Sequence, residues 1–476
     1  MKKNPERLSL NESYDFDVFI DTENGRFHGN LVLTPAKITL TISGEQYGNR
    51  MYEITSAYID TLICSDMPGS GNTFFLIGLC IVRSGASLLD YGVSTYFTVE
   101  YEVEHVIYCR GHLYHNTVFT GIAIHAKAIS QWVGNTFKQE EIVHTYYETG
   151  GLPDRSALIE FSSDITDYGA IGIKYNASTN YSLSEFTAGI QFPPSLFLTF
   201  QSPKAPQQII SNYYSAYSLL SFLIGDELDI DQITLDYNYP SFSMSSTLYY
   251  PTVSIPKRLR HDIIMFPLGL NERYITLDLP ALPLRIFGIY FGADQTIQDC
   301  ICKYIKYRRM INREERFLGY YRLLERLCYI QNNYLDEQLL KDVIKRAKPC
   351  LNRIFKNKKN VRSFLQRIPW LNTLKYNTAK GFKEVLSTIP NDYICNWEFG
   401  INDIDSIVKL RNDISHGNDY HLSEIDIEKR VKFIEILLVL QIFSKLQIQL
   451  ADSVKIIPRI HGYHLVHPPK VTILTE

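Results

Sequence analysis

The stretch VKLRNDISHGN, residues 408–418, decides how this chain is read. It places an arginine and a histidine five positions apart, Arg411 and His416, just before a glycine. Spacing alone says little. With 23 Arg and 12 His in 476 residues, fewer than one Arg-x4-His match is expected by chance, yet there are three. Arg110/His115 falls in YCRGHLYHN, a β-turn setting, and Arg459/His464 in the Pro-containing PRIHGYH. Only Arg411/His416 sits in a helical pattern. Asn402 or Asp403 can cap that helix. Ile404, Ile407, Val408, Arg411 and Ile414 or Ser415 then share one face at three- and four-residue steps. A charge on an apolar face needs a partner or a task. His416 closes the helix and Gly417 suits the left-handed position after it. Asn412, four residues before His416, shares its face and is placed to orient the imidazole. The competing account is an ordinary helix end, with a dipole-stabilised histidine and an arginine paired to a carboxylate.

Outward from this helix the texture is helical from about 293. TIQDCICKYIKYRRMINREERFLGYYRLLERLCYI, DEQLLKDVIKRAKPCLNRIF, VRSFLQRI, AKGFKEVLSTI and SEIDIEKRVKFIEILLVLQIFSKLQIQL carry apolar residues at helical spacing, with Pro349 as a break. This predicts an all-α bundle over 292–450 and a C-terminal tail over 451–476. Residues 1–202 read differently. YDFDVFID, HGNLVLT, AKITLTIS and YFTVEYEVEHVIYC are strand-like, and ENG (23–25), PGSGN (68–72) and GGLPD (150–154) punctuate them. The expectation there is a β-rich domain of sandwich or barrel type. QSPKAPQQ (201–208) reads as a linker, and 203–291 as a mixed bridge with a helix over IISNYYSAYSLLSFLIGDE and a returning strand at ITLDYN. The fold class is multidomain α+β: a β-rich front followed by a helical bundle.

Charge divides along the same line. Residues 1–299 hold 18 Lys+Arg against 32 Asp+Glu, whereas 300–450 hold 27 against 17. Within 341–383 there are 13 basic residues and one acid, Asp342. RIFKNKKNVRSF interleaves Lys356, Lys358, Lys359 and Arg362 with Phe355 and Phe364, a pattern suited to tracking phosphates and stacking bases. A solvated helix face is the plainer account of such a run.

Other chemistry is weakly represented. Eight scattered cysteines with no C-x-x-C pair read as reduced thiols. His105, Cys109, His112 and His115 have metal-ligand types without standard spacing, as do His461, His464 and His467. No phosphate-binding loop, nucleophile elbow or dinucleotide fingerprint occurs, so no cofactor is expected. The start MKKNPERLSLNES lacks an apolar stretch, and the apolar runs at 74–82 and 433–443 are too short to span a bilayer. A cytoplasmic protein without a membrane partner is the expectation.

The arrangement of a helix, R-N-x-x-x-H-G at 411–417 and an amphipathic closing helix resembles the HEPN superfamily of metal-independent ribonucleases. EERFLGYYRLLERLCY (314–329) looks like the first helix of ApeA-like HEPN domains. GFKEVLSTI (381–389) and HLSEIDIEKRVKFIEILLVL (421–440) look like the helices flanking their motif. HAKAISQWVGN (125–135) resembles the Trp-containing stretch of the ApeA amino-terminal domain. One departure is informative. HEPN partners of minimal nucleotidyltransferases carry H-x-Y after the Arg-Asn, whereas this chain has His416-Gly417-Asn418, which favours the abortive-infection, antiphage branch.

The resemblance implies a homodimer that cuts RNA, tRNA among the candidates, by attack of the ribose 2′-OH. In it Arg411, His416 and Asn412 are catalytic, Asp413 is a weaker support, and a phage-encoded activator acts through the front domain. It requires no metal. Two other classes fit the same residues: a non-catalytic HEPN adaptor that binds RNA or protein, and a β-sandwich ligand-binding protein with a helical oligomerisation domain.

Overall fold

The computed structural model describes residues 5–22, 25–47, 55–67, 71–89, 94–182, 187–239, 242–252, 264–268, 278–292, 295–329, 333, 335–372 and 378–468. The chain falls into two compact units, 1–298 and 299–476.

The first unit is built on antiparallel strands. Alternation in YDFDVFIDT puts Tyr14, Phe16, Val18 and Ile20 on one buried face of β1 (Tyr14–Thr22). β1 pairs along its length with β2 (Gly25–Leu33), and β2 with β3 (Ile38–Tyr47). β4 (Tyr58–Ser65) joins β1 to β5 (Asn72–Leu89), which pairs with β6 (Ser94–Arg110). β6 then pairs with β3, so the six strands close on themselves. The β3–β6 pairing covers the facing edges of those two strands, and the β1–β4 seam is held, among the described residues, at one pair, Phe19 with Ser65. Among the alternatives left open by the sequence, this half is a barrel. Parts of the ENG and PGSGN turns lie outside the described residues.

The far end of β6 continues into a second antiparallel run. It contains β7 (Phe119–Ala126), β8 (Ile159–Ile165), β9 (Gly169–Tyr175), β12 (Pro194–Lys204), β13 (Ile230–Tyr239) and β14 (Phe242–Tyr249), in the order β6-β14-β13-β7-β12-β9-β8. The strands β10 (Ser178–Ser182) and β11 (Thr187–Gln191) form a separate hairpin. After β7 come two helices, α1 (Lys127–Val133) and α2 (Phe137–Thr149). Trp132 on α1 is fully buried and donates its indole N–H to the Phe266 carbonyl at 2.9 Å.

Two expectations are corrected here. Residues 201–208 are not a linker. β12 runs to Lys204, still paired with Phe119, and α3 (Pro206–Ile224) begins directly after it. Pro206 opens that helix because its missing N–H is not needed in a first turn. The stretch 203–291 is likewise no bridge in this fold. β13 pairs with β7 and β14 with β6, so it supplies two interior strands of the first unit's own sheet.

α4 (Arg285–Gly292) and α5 (Gln295–Arg308) lead into the helical unit. Asn312 caps α6 (Arg313–Cys328), accepting from the Glu315 N–H at 3.1 Å. α7 (Glu337–Phe355) and α8 (Lys358–Asn372) form a hairpin turned by Lys356 at φ 53°. Pro349 does not break α7. Its ring is exposed, so the carbonyl it leaves without a donor can take water. α9 (Thr378–Thr388), the short α10 (Asn391–Ile394), α11 (Ile404–His416), α12 (Glu424–Lys445) and α13 (Leu450–Ile456) follow.

α12 is apolar on nearly every side from Phe433 to Phe443 and is buried accordingly, chiefly against α6. α9 and α11 cover the rest of α6. Residues after 450 pack on the same unit: Ile456, Ile457 and Val466 are buried, and Trp397 donates to the Tyr463 hydroxyl at 3.0 Å. Residues 469–476 of the tail lie outside the described residues. Among the described residues no helix is long and apolar enough to cross a membrane.

Candidate active site

The motif helix α11 buries Ile404, Ile407 and Leu410, with Val408, Arg411 and Ile414 half-buried beside them. The apolar face is thus centred slightly away from the expected one. Leu410 belongs to it, and Arg411 lies at its edge. The start also differs. A short 3-10 turn, Ile401–Asp403, precedes the helix, and the Asp403 carboxylate accepts from the Gly400 N–H at 2.8 Å rather than capping α11.

The end of α11 follows the glycine signal closely. Gly417 adopts φ 67° and ψ 28°, its N–H meets the Ile414 carbonyl at 3.3 Å, and the Asn418 N–H meets the Asp413 carbonyl at 2.9 Å. This is the paired closure of a left-handed helix end. The Asn418 amide also donates to the Asp413 carboxylate at 3.2 Å, which ties the first residue beyond the turn to the last turn of helix. A Cβ at Gly417 would meet nothing within 4 Å, so the glycine is there for its φ, not for space. Gly417→Ala is therefore expected to cost about 1–2 kcal/mol through backbone strain alone. The check is chemical denaturation, and a change below a few tenths of a kcal/mol would dismiss this account.

Arg411 finds the partner that its position demanded. Its side chain is 31% exposed, and Nη2 lies 4.0 Å from the Glu325 carboxylate on α6. The guanidinium carbon stands 5.6 Å from the ring centre of Tyr321, one turn earlier on α6. Glu325 is held in turn by the Thr378 hydroxyl, which donates to it at 2.5 Å from the first residue of α9. Tyr321 is buried and packs edge-on against Phe382 at 5.1 Å. The arginine is not saturated by these contacts. Its Nε is buried and, among the described residues, has no hydrogen-bond partner.

Asn412 contacts the arginine. Its side-chain oxygen accepts from Arg411 Nη1 at 3.0 Å, and among the described residues no hydrogen bond links it to His416. The reason is reach. The Arg411 fork folds back over the helix surface onto its neighbour, while the exposed His416 ring stands at the capped end of the helix. Among the described residues no hydrogen bond holds that ring. Arg411 and His416 therefore leave the helix about 140° apart, one gripped by α6 and one facing solvent.

Lys356, Lys358, Lys359 and Arg362 all lie exposed at the turn of the α7–α8 hairpin, with Phe355 63% and Phe364 60% exposed. The other Arg-x4-His pairs are engaged elsewhere or separately: Arg110 pairs with Glu6 at 3.2 Å, and His115 lies against Phe75. His105 meets the Tyr214 hydroxyl at 2.9 Å and Cys109 the Tyr237 hydroxyl at 2.7 Å, two separate contacts. Among the described residues no cluster of metal-ligating side chains occurs.

Tyr321, Glu325 and Thr378 were not singled out from the sequence. The available signal was the four-residue step between Tyr321 and Glu325, which places a ring and a carboxylate on one helix face.

The model of ApeA N-terminal domain 1 matches residues 16–268, more than half of the chain. The RiboL-PSP-HEPN model matches residues 294–446 and so contains the whole of α6, α9, α11 and the hairpin. No curated protein and no solved structure matches the chain.

Proposed function

The chain belongs to the ApeA-like HEPN proteins of antiphage defence, and on that premise we propose that it is an endoribonuclease acting at Arg411 and His416. One observation carries this reading. Arg411 is 31% exposed, lies over the Tyr321 ring and stands 4.0 Å from the Glu325 carboxylate, beyond hydrogen-bond distance, so its positioned guanidinium still has Nη2 donors to offer an anionic group.

In the proposed reaction His416 takes the proton from a ribose 2′-OH, and the 2′-oxygen attacks the adjacent phosphorus. Arg411 donates to the non-bridging oxygens as charge builds on the phosphorane. The bond to the 5′-oxygen breaks and that oxygen receives the proton that His416 took from the 2′-OH, leaving a 2′,3′-cyclic phosphate, a 5′-hydroxyl and a neutral histidine. The two side chains diverge on one helix, so a histidine and an arginine from two copies serve one phosphate across a two-fold axis. No metal enters the scheme. Candidate substrates include tRNA.

Cytoplasmic action and control by a phage-encoded protein complete the proposal. The front unit, with the acidic surplus of residues 1–299, is the sensor, and its partner shifts a balance between inactive and active states by differential affinity. The experiment is to infect cells expressing the chain and sequence RNA ends. New 2′,3′-cyclic phosphate ends should appear with the wild type and be absent with His416→Ala. Identical ends in both would refute the assignment.

Substrate contact is tested separately. Replacing Lys356, Lys358, Lys359 and Arg362 with Gln should weaken RNA binding and flatten its dependence on salt. Up to four lost phosphate contacts correspond to a fall of roughly 3 in the slope of log K against log salt for a single strand. An unchanged slope would return these side chains to an ordinary solvated surface.

A further inference from the structure

The α7–α8 hairpin carries more apolar surface than it covers. On α7 the apolar residues span one arc. Leu340, Ile344 and Leu351 face α8, where Val361 and Leu365 are buried against them. Next to them, within about 60° of arc, Leu339, Val343, Cys350 and Ile354 form a second stripe. That stripe is exposed: Leu339 66%, Val343 60% and Ile354 62%, with Cys350 exposed as well. α8 repeats the arrangement, with Phe364 and Leu371 60% and 50% exposed beside its buried face. In an antiparallel hairpin both uncovered sectors turn to the same side, because reversing a helix reverses its sense of rotation. The base of the hairpin is fixed, since Asn372 bonds the Leu335 N–H and carbonyl at 2.8 and 2.9 Å. The result is a two-helix slab with one continuous apolar face.

We propose that a second copy of this chain covers the exposed face formed by Leu339, Val343, Ile354, Phe364 and Leu371, so that two hairpins pack face to face as four helices in the active dimer. Size supports this occupant. The exposed parts of these five side chains amount to roughly 500 Å² per copy. With Cys350, Phe355 and the surrounding side-chain stems, they approach the ~800 Å² per partner of a standard interface. A single flat face related to itself by a two-fold axis is the simplest self-complementary surface. Charge permits it. Lys341, Lys345 and Lys348 lie on the opposite arc of α7 and point away from the paired face, while Arg346, Arg353 and Arg367 border it and would form a basic rim around an apolar centre. The inference rests on the two-copy reading of the Arg411/His416 site, which calls for a second copy of the chain.

The test uses the full chain. Val343→Glu with Ile354→Glu alters two side chains already exposed in one copy, so folding should persist by circular dichroism. Sedimentation should show a wild-type dimer and a variant dimer weakened at least about hundredfold, the loss expected when charges enter the centre of an apolar interface. In a Cys80→Ser/Cys395→Ser background, alkylation of Cys350 should slow as protein concentration rises through the dimer range. A double variant that stays dimeric, or Cys350 reactivity indifferent to concentration, overturns the proposal. So does a monomeric wild type that binds phosphatidylglycerol vesicles through this face. These readouts do not depend on RNA cleavage. An inactive wild type that is nevertheless a hairpin dimer would refute the ribonuclease and leave the interface standing.

Discussion

Replacing His416 by alanine should lower RNA cleavage by roughly 10²–10⁴-fold, the usual worth of a general base, while leaving the fold intact. The side chain is exposed at the helix end and no hydrogen bond among the described residues engages it, so stability has little to lose. Arg411→Ala should cost about 10²–10³-fold through lost stabilisation of the phosphorane. It should also disturb α6, because Tyr321 and Glu325 lose their common partner. Arg411→Lys is the sharper comparison. An ammonium keeps the charge but cannot lie over the Tyr321 ring and reach Asn412 and Glu325 at once, so it should rescue poorly. Asn412→Ala tests this contact. If Asn412 orients the arginine, its loss should resemble a mild Arg411 defect. Chelation with EDTA should leave the rate unchanged in every case. Wild-type activity in the His416 variant would end the mechanism, whatever the other variants do.

The second large effect concerns stability. Glu435 sits in the middle of α12 with 2% of its surface exposed, a carboxylate inside an apolar helix. Lys432 donates to it at 2.6 Å, and the Tyr304 and Tyr320 hydroxyls at 2.9 and 3.4 Å. Burial pushes this carboxyl up, but the lysine, its hydrogen bonds and the nearby Arg316 outweigh that, and the net displacement is downward. Truncation to alanine would strand Lys432 and two buried phenols. The expected loss is about 3–5 kcal/mol, the range for breaking a buried pair by removing one partner. In a unit of this size that is a fall of roughly 6–20 °C in melting temperature. Because the folded carboxyl lies below its unfolded value, the stability it contributes is complete above the unfolded pKa. It is lost as pH falls through the lower folded value. The wild type should therefore show a component of acid destabilisation that Glu435→Ala lacks. A variant that melts within a degree or two of wild type, with the same acid limb, would show that the network contributes little.

Periodicity along a single element was enough to read much of this protein. Alternation in YDFDVFIDT foretold a strand with one buried face, and the apolar steps of FIEILLVLQIF foretold a buried helix. Gly417 announced its left-handed turn because only a residue without a Cβ takes that φ freely. Such features depend on neighbours a few positions away, so a linear string records them. The charge split between front and back is recorded in the same way.

What the string could not record is which distant elements meet. The pairing of β3 with β6 turns a sheet into a barrel, and the strands after 229 enter the first unit's sheet beside β7 and β6. Both are pairings between segments far apart in sequence, selected by which edges remain free once the local hairpins have formed. The same holds at the site. Arg411 looked like a charge on an apolar face, and its ring, carboxylate and supporting hydroxyl come from residues 321, 325 and 378. Helical spacing put Asn412 and the histidine on one face. Spacing says which side chains can touch, and within one chain it is the longer, forked arginine that reaches the amide. An unpaired charge in the sequence shows that a partner must exist. Only the packing of α6, α9 and α11 decides which one, because the desolvation cost of the guanidinium is met by whatever side chains the tertiary fold brings beside it.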